Sequence, residues 1–232
     1  YLNKDNLQMD FLIPHKSRED QGYLNQIESQ GGQIYLIPSH KENLIKHIIE
    51  TYKVSRRYKK DGLIHIHVSS GIHAVDGIVA RLAGIKNIVY HSHNASFIES
   101  RGKKIARFLF KISGTYFLGC TKDAGIYMFG SDVTNSNRFS IAKNGIDTEK
   151  FKFDARKRKS IRDEYNIPED THLLGFVGRF SSEQNIDFII ETFNRLQDID
   201  SNYMLMLVGD GEQKDLIRDM VYKLDIQDKV IL

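Results

Sequence analysis

The sequence predicts an α/β protein made of two Rossmann-like units, each a parallel sheet covered on both sides by helices. Three observations lead there. Short runs rich in β-branched and aromatic residues alternate with longer segments whose apolar residues recur at spacings of three and four. One polar, charged stretch, "GIDTEKFKFDARKRKSIRDEYNIPED", interrupts the alternation. Beyond it, "HLLGFV" and "YMLMLV" each run onto a glycine and then into a helical pattern, as strands do where a sheet of this class opens onto a ligand.

The strands expected in order are 9–13, 33–37, 63–68, 87–92, 115–120, 138–142, 172–177 and 203–208, with "KVIL" at the end as a strand barely begun. The helices expected between them are 17–31, 41–60, 71–84, 98–113, 185–197 and 212–224. In the fifth of these, Ile186, Ile189, Ile190, Phe193 and Leu196 share one face, so that helix packs on a sheet. Pro168 ends whatever helix precedes it, and the divide falls near residue 152, giving units 1–152 and 153–232. The chain does not begin with methionine, and its second unit is expected to be truncated.

With 232 residues, of which 41% are hydrophobic and 10% aromatic, the chain can bury one large core or two modest ones. No run approaches the roughly 18 apolar residues of a spanning helix, and the start carries no export signal. The single cysteine, Cys120, excludes an intrachain disulfide and fits a reducing cytoplasm. A net charge of +3 gives no argument for nucleic acid, but cations gather in "YKVSRRYKK" and "RGKKIARFLFK".

Chemistry is expected first in the two loops of the second unit, "FVGRFSSEQN" and "LVGDGEQKD". Gly178, Gly209 and Gly211 let the backbone approach a ligand, and the helix starts that follow offer unpaired amides to an anion. Arg179 adds a bidentate phosphate contact, while the next cationic slot holds the neutral Gln184. Either loop alone reads as an ordinary turn; the pair favours a nucleotide or phosphate. In the first unit, His67, His91 and His93 fall at carboxyl ends of strands, with His65 two residues before His67. A zinc site is conceivable there, but no cysteine or acidic residue lies close in sequence to complete a ligand set, and His65 and His91 read equally well as ordinary histidines near strand ends. Lys103, Lys104 and Arg107, with Arg101 and Lys111, surround Ile105, Phe108, Leu109 and Ile112. Such a helix lies on an anionic bilayer, docks an acidic partner, or is a solvated face over a core stripe.

Taken together, "YHSHNAS", "KNGIDTEKF", "VGRFSSEQNIDFIIETF" and "LMLVGDGEQKDLI" resemble the family 4 glycosyltransferases, in particular their capsule and exopolysaccharide branch. The resemblance implies the GT-B fold, two Rossmann-like domains facing a cleft. It also implies retaining transfer of a sugar from a nucleotide-sugar such as a UDP-sugar to a polysaccharide or lipid-linked acceptor, with neither metal nor cofactor. By that match Arg179 binds the donor pyrophosphate, Gly209, Asp210 and Gly211 line the donor pocket, and His93 faces the transferred sugar as the catalytic residue. Gln184 stands where the family usually has lysine. The glycine-rich first loop is expected ahead of Tyr1, and the glutamate pair that contacts the donor sugar beyond Leu232. A cytoplasmic enzyme in peripheral contact with the inner membrane face is implied. The alternatives are a nucleotide-sugar-binding subunit without turnover and a sugar epimerase on the same fold.

Overall fold

A computed structural model describes residues 8–14, 21–60, 62–94 and 102–232. The chain divides into two compact units, Tyr1–Ile146 and Asp147–Leu232.

The first unit runs β1 (Phe11–Pro14), α1 (Gln21–Ser29), β2 (Ile34–Ile37), α2 (Leu44–Arg57), β3 (Leu63–Val68), a 3-10 turn (Gly71–His73) leading into α3 (Ala74–Leu82), β4 (Asn87–Ser92), α4 (Lys103–Ser113), β5 (Tyr116–Gly119), α5 (Lys122–Phe129), α6 (Ser131–Thr134) and β6 (Phe139–Ile141). All its strand pairs are parallel, as strand–helix alternation requires. They form two sheets, β1-β2 and β3-β4-β5-β6, and among the described residues no ladder joins them.

Between the larger sheet and its helices lies a core of Val68, Ile85, Ile88, Tyr90, Phe110, Phe117, Phe129 and their neighbours. Each such side chain stabilises by about 1.5–3 kcal/mol through removal from water. Tyr90 is fully buried and shares a hydrogen bond of 2.7 Å with Ser113 Oγ. Gly77 makes room for that hydroxyl, since a Cβ there would sit 1.6 Å from it. Burial pushes the Tyr90 phenol up to about 12, so its proton stays in place at every ordinary pH.

The second unit runs α7 (Ala155–Glu164), β7 (His172–Val177), a 3-10 turn (Ser182–Gln184), α8 (Ile186–Ile199), β8 (Tyr203–Val208), α9 (Lys214–Lys223) and β9 (Val230–Ile231), with the parallel sheet β7-β8-β9. The expected face of α8 is its core face. Ile186, Ile190 and Phe193 are buried against Leu205, Leu207, Ile217 and Val221.

The structure differs from expectation in three places. Helix α7 occupies part of the charged stretch that reads as a break. Asp154 caps it by accepting from the Arg156 and Lys157 amides, and its buried Arg162 donates to the Pro168 and Thr171 carbonyls. An arginine held by carbonyls does the work of a core residue there, which an apolar periodicity cannot show. Helix α5 is also unexpected, because Gly125 is a poor helix former; it stands there since a Cβ would meet the Phe139 ring at 2.5 Å. Finally, among the described residues some strand-end side chains are left uncovered. Leu63 is 59% exposed on β3 and Val177 81% exposed on β7. The expected fourth helix begins at Lys103, and Arg101 lies outside the described residues.

Candidate functional site

The two loops of the second unit are one structure. β7 and β8 are adjacent and in register from His172 opposite Tyr203 to Val177 opposite Val208, so their carboxyl ends release the chain side by side. The loops then continue to bond. Gly178 donates its amide to Val208 O at 3.0 Å, Phe180 donates to Asp210 O at 2.8 Å, and Gln213 donates to Phe180 O at 3.0 Å. This closeness explains the glycines. A Cβ on Gly209 would lie 1.9 Å from Gly178 O, and one on Gly211, whose φ is +156°, would lie 2.4 Å from Phe180 O. The glycines expected to admit a ligand therefore admit, first, the neighbouring loop's backbone.

Phe180 and Ser181 are buried at the base of this pair, which fixes the loop between them and β7. Arg179 and Gln184 are exposed above it. The Gln184 amide donates to Ser181 O at 3.0 Å, and Asn185 takes a left-handed conformation, φ 51°, to turn the 3-10 segment into α8. No side chain caps α8 or α9, although the first amide of α9, that of Lys214, donates to Gly211 O at 3.1 Å. Asp210 accepts from the Gly211 amide at 2.9 Å and lies 3.3 Å from Lys214 Nζ; both contacts hold its carboxyl below the usual range. Glu183 is likewise lowered, by the Ser181 hydroxyl first and by the charge of Arg179 among lesser causes. Arg179 and Lys214, with Asp210 and Glu183 beside them, thus mark an open polar surface at this end of the sheet.

In the first unit the structure brings His65, His67, His91 and His93 onto one face of β3 and β4, with His67 opposite His91 in the ladder. The His65 and His67 ring centroids are 4.6 Å apart, and those of His91 and His93 are 4.2 Å apart. His67 Nδ1 and His93 Nε2 share a hydrogen bond of 2.7 Å, and one ring nitrogen each from His65, His67 and His91 can lie within 4.8 Å of the others. Burial lowers His65 to about 4, helped by the neighbouring imidazoles, and lowers His67 and His91 as well. His91 is 7% exposed; the Ala142 backbone lies near it, yet neither of its ring nitrogens completes a hydrogen bond. His93 is fixed from the chain side, since its carbonyl accepts from Cys120 Sγ at 3.3 Å. The patch is a set of imidazoles, of which His65, His67 and His91 are held toward the neutral form by burial, able to donate to and accept from hydroxyl groups.

The basic helix sorts its cations. Arg107 donates to the Ile126 and Tyr127 carbonyls at 3.1 and 3.0 Å, and Lys103 lies 3.8 Å above the Tyr127 ring, so both tie α4 to α5. Lys104 points outward. Ile105, Phe108 and Ile112, which the spacing leaves free to be core, are 66, 61 and 53% exposed, while Phe110 takes the core position. Sequence reasoning missed one group altogether, His40, His47, His73 and Asp76, because its members are spread over 37 positions and meet only through the β2–α2 and β3–α3 loops.

Residues 157–232 match the family described as glycosyl transferases group 1. Over 95% of its length the chain is 26% identical to a Bacillus subtilis (strain 168) protein named as glycosyltransferase EpsF, and over 88% it is 24% identical to the UDP-Gal:alpha-D-GlcNAc-diphosphoundecaprenol alpha-1,3-galactosyltransferase of Escherichia coli. It spans 61% and 55% of the lengths of these relatives. Among solved structures, Anabaena Alr3699/HepE in complex with UDP and glucose superposes with a TM-score of 0.72 at 13% identity, covering 97% of this chain and 68% of that one. That likeness fixes the fold as GT-B, of which the chain spans the corresponding part. The motif-bearing loops at the ends of β7 and β8 lie inside the segment that matches the glycosyl transferases group 1 family.

Proposed function

We propose that this chain is part of a retaining glycosyltransferase that takes a sugar from a UDP-sugar and passes it to a polysaccharide or lipid-linked acceptor. The observation that carries the reading is the hydrogen-bonded pair of loops at the ends of β7 and β8, with Arg179 above them and two uncapped helix starts behind. Breaking the bond between a sugar and a nucleoside diphosphate leaves negative charge on the departing phosphate. Arg179 and the helix amides are placed to stabilise that charge before it forms, so little reorganisation is needed as it develops. Gln184 lies beside this site without adding charge: its Oε1 would stand 3.6 Å from a Cβ on Gly178. The UDP complex of the Anabaena structure and the UDP-Gal donor of the Escherichia coli relative support the choice of nucleotide.

His93 is assigned to the transferred sugar, held in orientation by its hydrogen bond with His67, where its imidazole can meet sugar hydroxyls. The exposed Ile105, Phe108 and Ile112 beside Lys104 support a peripheral contact with an anionic membrane, where a lipid-linked acceptor would be presented. The experiment is Arg179→Ala in the full-length enzyme. Turnover is expected to fall by on the order of a hundredfold or more, the usual cost of one preorganised charge stabiliser. Unchanged turnover and unchanged UDP affinity would remove Arg179 from the site, and an inverted anomeric configuration in the product, read by NMR, would overturn the retaining assignment.

A further inference from the structure

A second group of imidazoles lies apart from the face that carries His93. His40 stands in the loop after β2, His47 in the first turn of α2, His73 at the end of the 3-10 turn after β3, and Asp76 in the first turn of α3. Asp76 Oδ1 lies 2.9 Å from His40 Nε2 and 2.8 Å from His47 Nε2, and Asp76 Oδ2 lies 3.2 Å from His73 Nδ1. Ser69 Oγ is 3.4 Å from the other nitrogen of His73. The rings themselves are packed together, His40 with its centroid 3.8 Å from that of His47 and 5.1 Å from that of His73. One donor atom each from His40, His73 and Asp76 can be drawn within 4.8 Å of the others. The group is withdrawn from water: the side chains of His47, Asp76, His40 and His73 are 6, 14, 15 and 24% exposed.

The hydrogens in this group can be counted. His47 Nδ1 is 2.7 Å from the Pro38 carbonyl oxygen, which only accepts, so the ring hydrogen sits on Nδ1. Its Nε2 is the nitrogen turned toward the Asp76 carboxylate, 2.8 Å away. An imidazole nitrogen and a carboxylate oxygen come this close in a dry site around a cation, whether a proton or a metal ion. A ring N–H anchored on a backbone carbonyl, with the opposite nitrogen left to bind, is how metal-ligating histidines are commonly held. Burial by itself would raise the Asp76 carboxyl, but the contacts with His73, His47 and His40 outweigh it and hold it below the usual range.

We propose that His40, His47, His73 and Asp76 form a site for one divalent transition-metal ion of the zinc class, which ties the β2–α2 loop to the β3–α3 loop. Three imidazole nitrogens and one carboxylate oxygen suit a four-coordinate ion of borderline softness, whereas magnesium and calcium ask for oxygen donors alone. At metal–ligand distances of about 2.0–2.2 Å the donors must spread slightly beyond hydrogen-bond separation, a small movement for His40 and His73 on their loops. The histidines of β3 and β4 do not have this chemistry, since their group holds no carboxylate among the described residues. The site is independent of sugar transfer and requires nothing of the donor loops.

The test titrates the chelator-treated chain with Co2+, follows the visible absorption of tetrahedral cobalt, and then displaces the ion with Zn2+. One equivalent per chain is expected, and Zn2+ but not Mg2+ should raise the melting temperature. His40→Ala and His73→Ala should each weaken Co2+ binding at least tenfold and abolish the Zn2+-dependent rise in melting temperature. A His65→Ala/His67→Ala double variant should leave both unchanged. His40→Gln serves if His40→Ala fails to fold, because its amide still donates to Asp76 while the imidazole is gone. The proposal is overturned if the folded wild-type chain takes up no stoichiometric cobalt, if uptake survives in His40→Gln and His73→Ala, or if it disappears with His65 and His67 instead.

Discussion

Gly209 shows how much one missing carbon decides. Both its neighbours in sequence and the loop across from it are fixed by backbone hydrogen bonds, so a Cβ 1.9 Å from Gly178 O cannot be met by a side chain swinging away. Gly209→Ala is expected to destabilise the second unit by about 1–3 kcal/mol, the usual cost of forced overpacking, and to weaken UDP binding in the full-length enzyme. Gly175→Ala, where nothing lies within 4 Å of the added carbon, is the control. A Gly209→Ala chain that melts with its parent, measured by circular dichroism, would show that the two loops separate at little cost. At this scale the sequence was readable for the placement of Arg179 and the glycines at strand ends, because a strand, a glycine and a helix start are contiguous. It was silent on His40, His47, His73 and Asp76, whose meaning exists only after two loops meet.

The β3–β4 pair carries a pH dependence of definite sign. His65 falls from its ordinary 6.5 to about 4 through burial first and the other imidazoles second, and His67 and His91 move the same way. Between those values the unfolded chain binds the proton that the folded chain refuses, so the stability of the first unit is full above pH 6.5 and declines as pH falls toward 4. His65→Asn should flatten that decline in melting temperature, and an unaltered slope would place the titration elsewhere. Helix α4 yields a second prediction. Phe108→Ser with Lys104→Glu should release the chain from anionic vesicles in co-sedimentation, since the cation contributes about 1 kcal/mol near such a surface and the ring more. Persistent sedimentation of the variant, or none of the parent, would count against a membrane contact. Arg107 and Lys103 are left alone because they hold α5. The strands were legible from β-branched runs, eight of the nine expected ones beginning and ending within a residue of expectation. Helices α5 and α7 were not, because a glycine packed under Phe139 and an arginine clasped by carbonyls hide from any count of apolar spacing.

On the scale of the whole molecule, two cores with separate sets of buried residues are connected by a segment from Ala142 to Asp154 without helix or strand. Phe153 is 80% exposed and Ile146 67%, and Lys143, Lys150 and Lys152 are all exposed within it. Brief trypsin treatment is expected to cut there first and release two resistant pieces, which mass spectrometry would identify; first cuts inside α3 or α8 would contradict the division into two units. The charged stretch, read as a break near residue 152, contains the end of the first compact unit at Ile146, while its helical half was not foreshadowed. β7 pairs only with β8 among the described residues, and its "HLLGFV" carries neither lysine nor proline, with Leu174 and Val177 facing outward. A row of unspent amide and carbonyl groups backed by such residues is a template for another extended strand, and nothing in β7 itself discourages recruitment. The chain handled alone at high concentration is therefore inclined to self-associate through that margin, and a lysine in place of Val177 is the least intrusive way to make it sociable only on purpose.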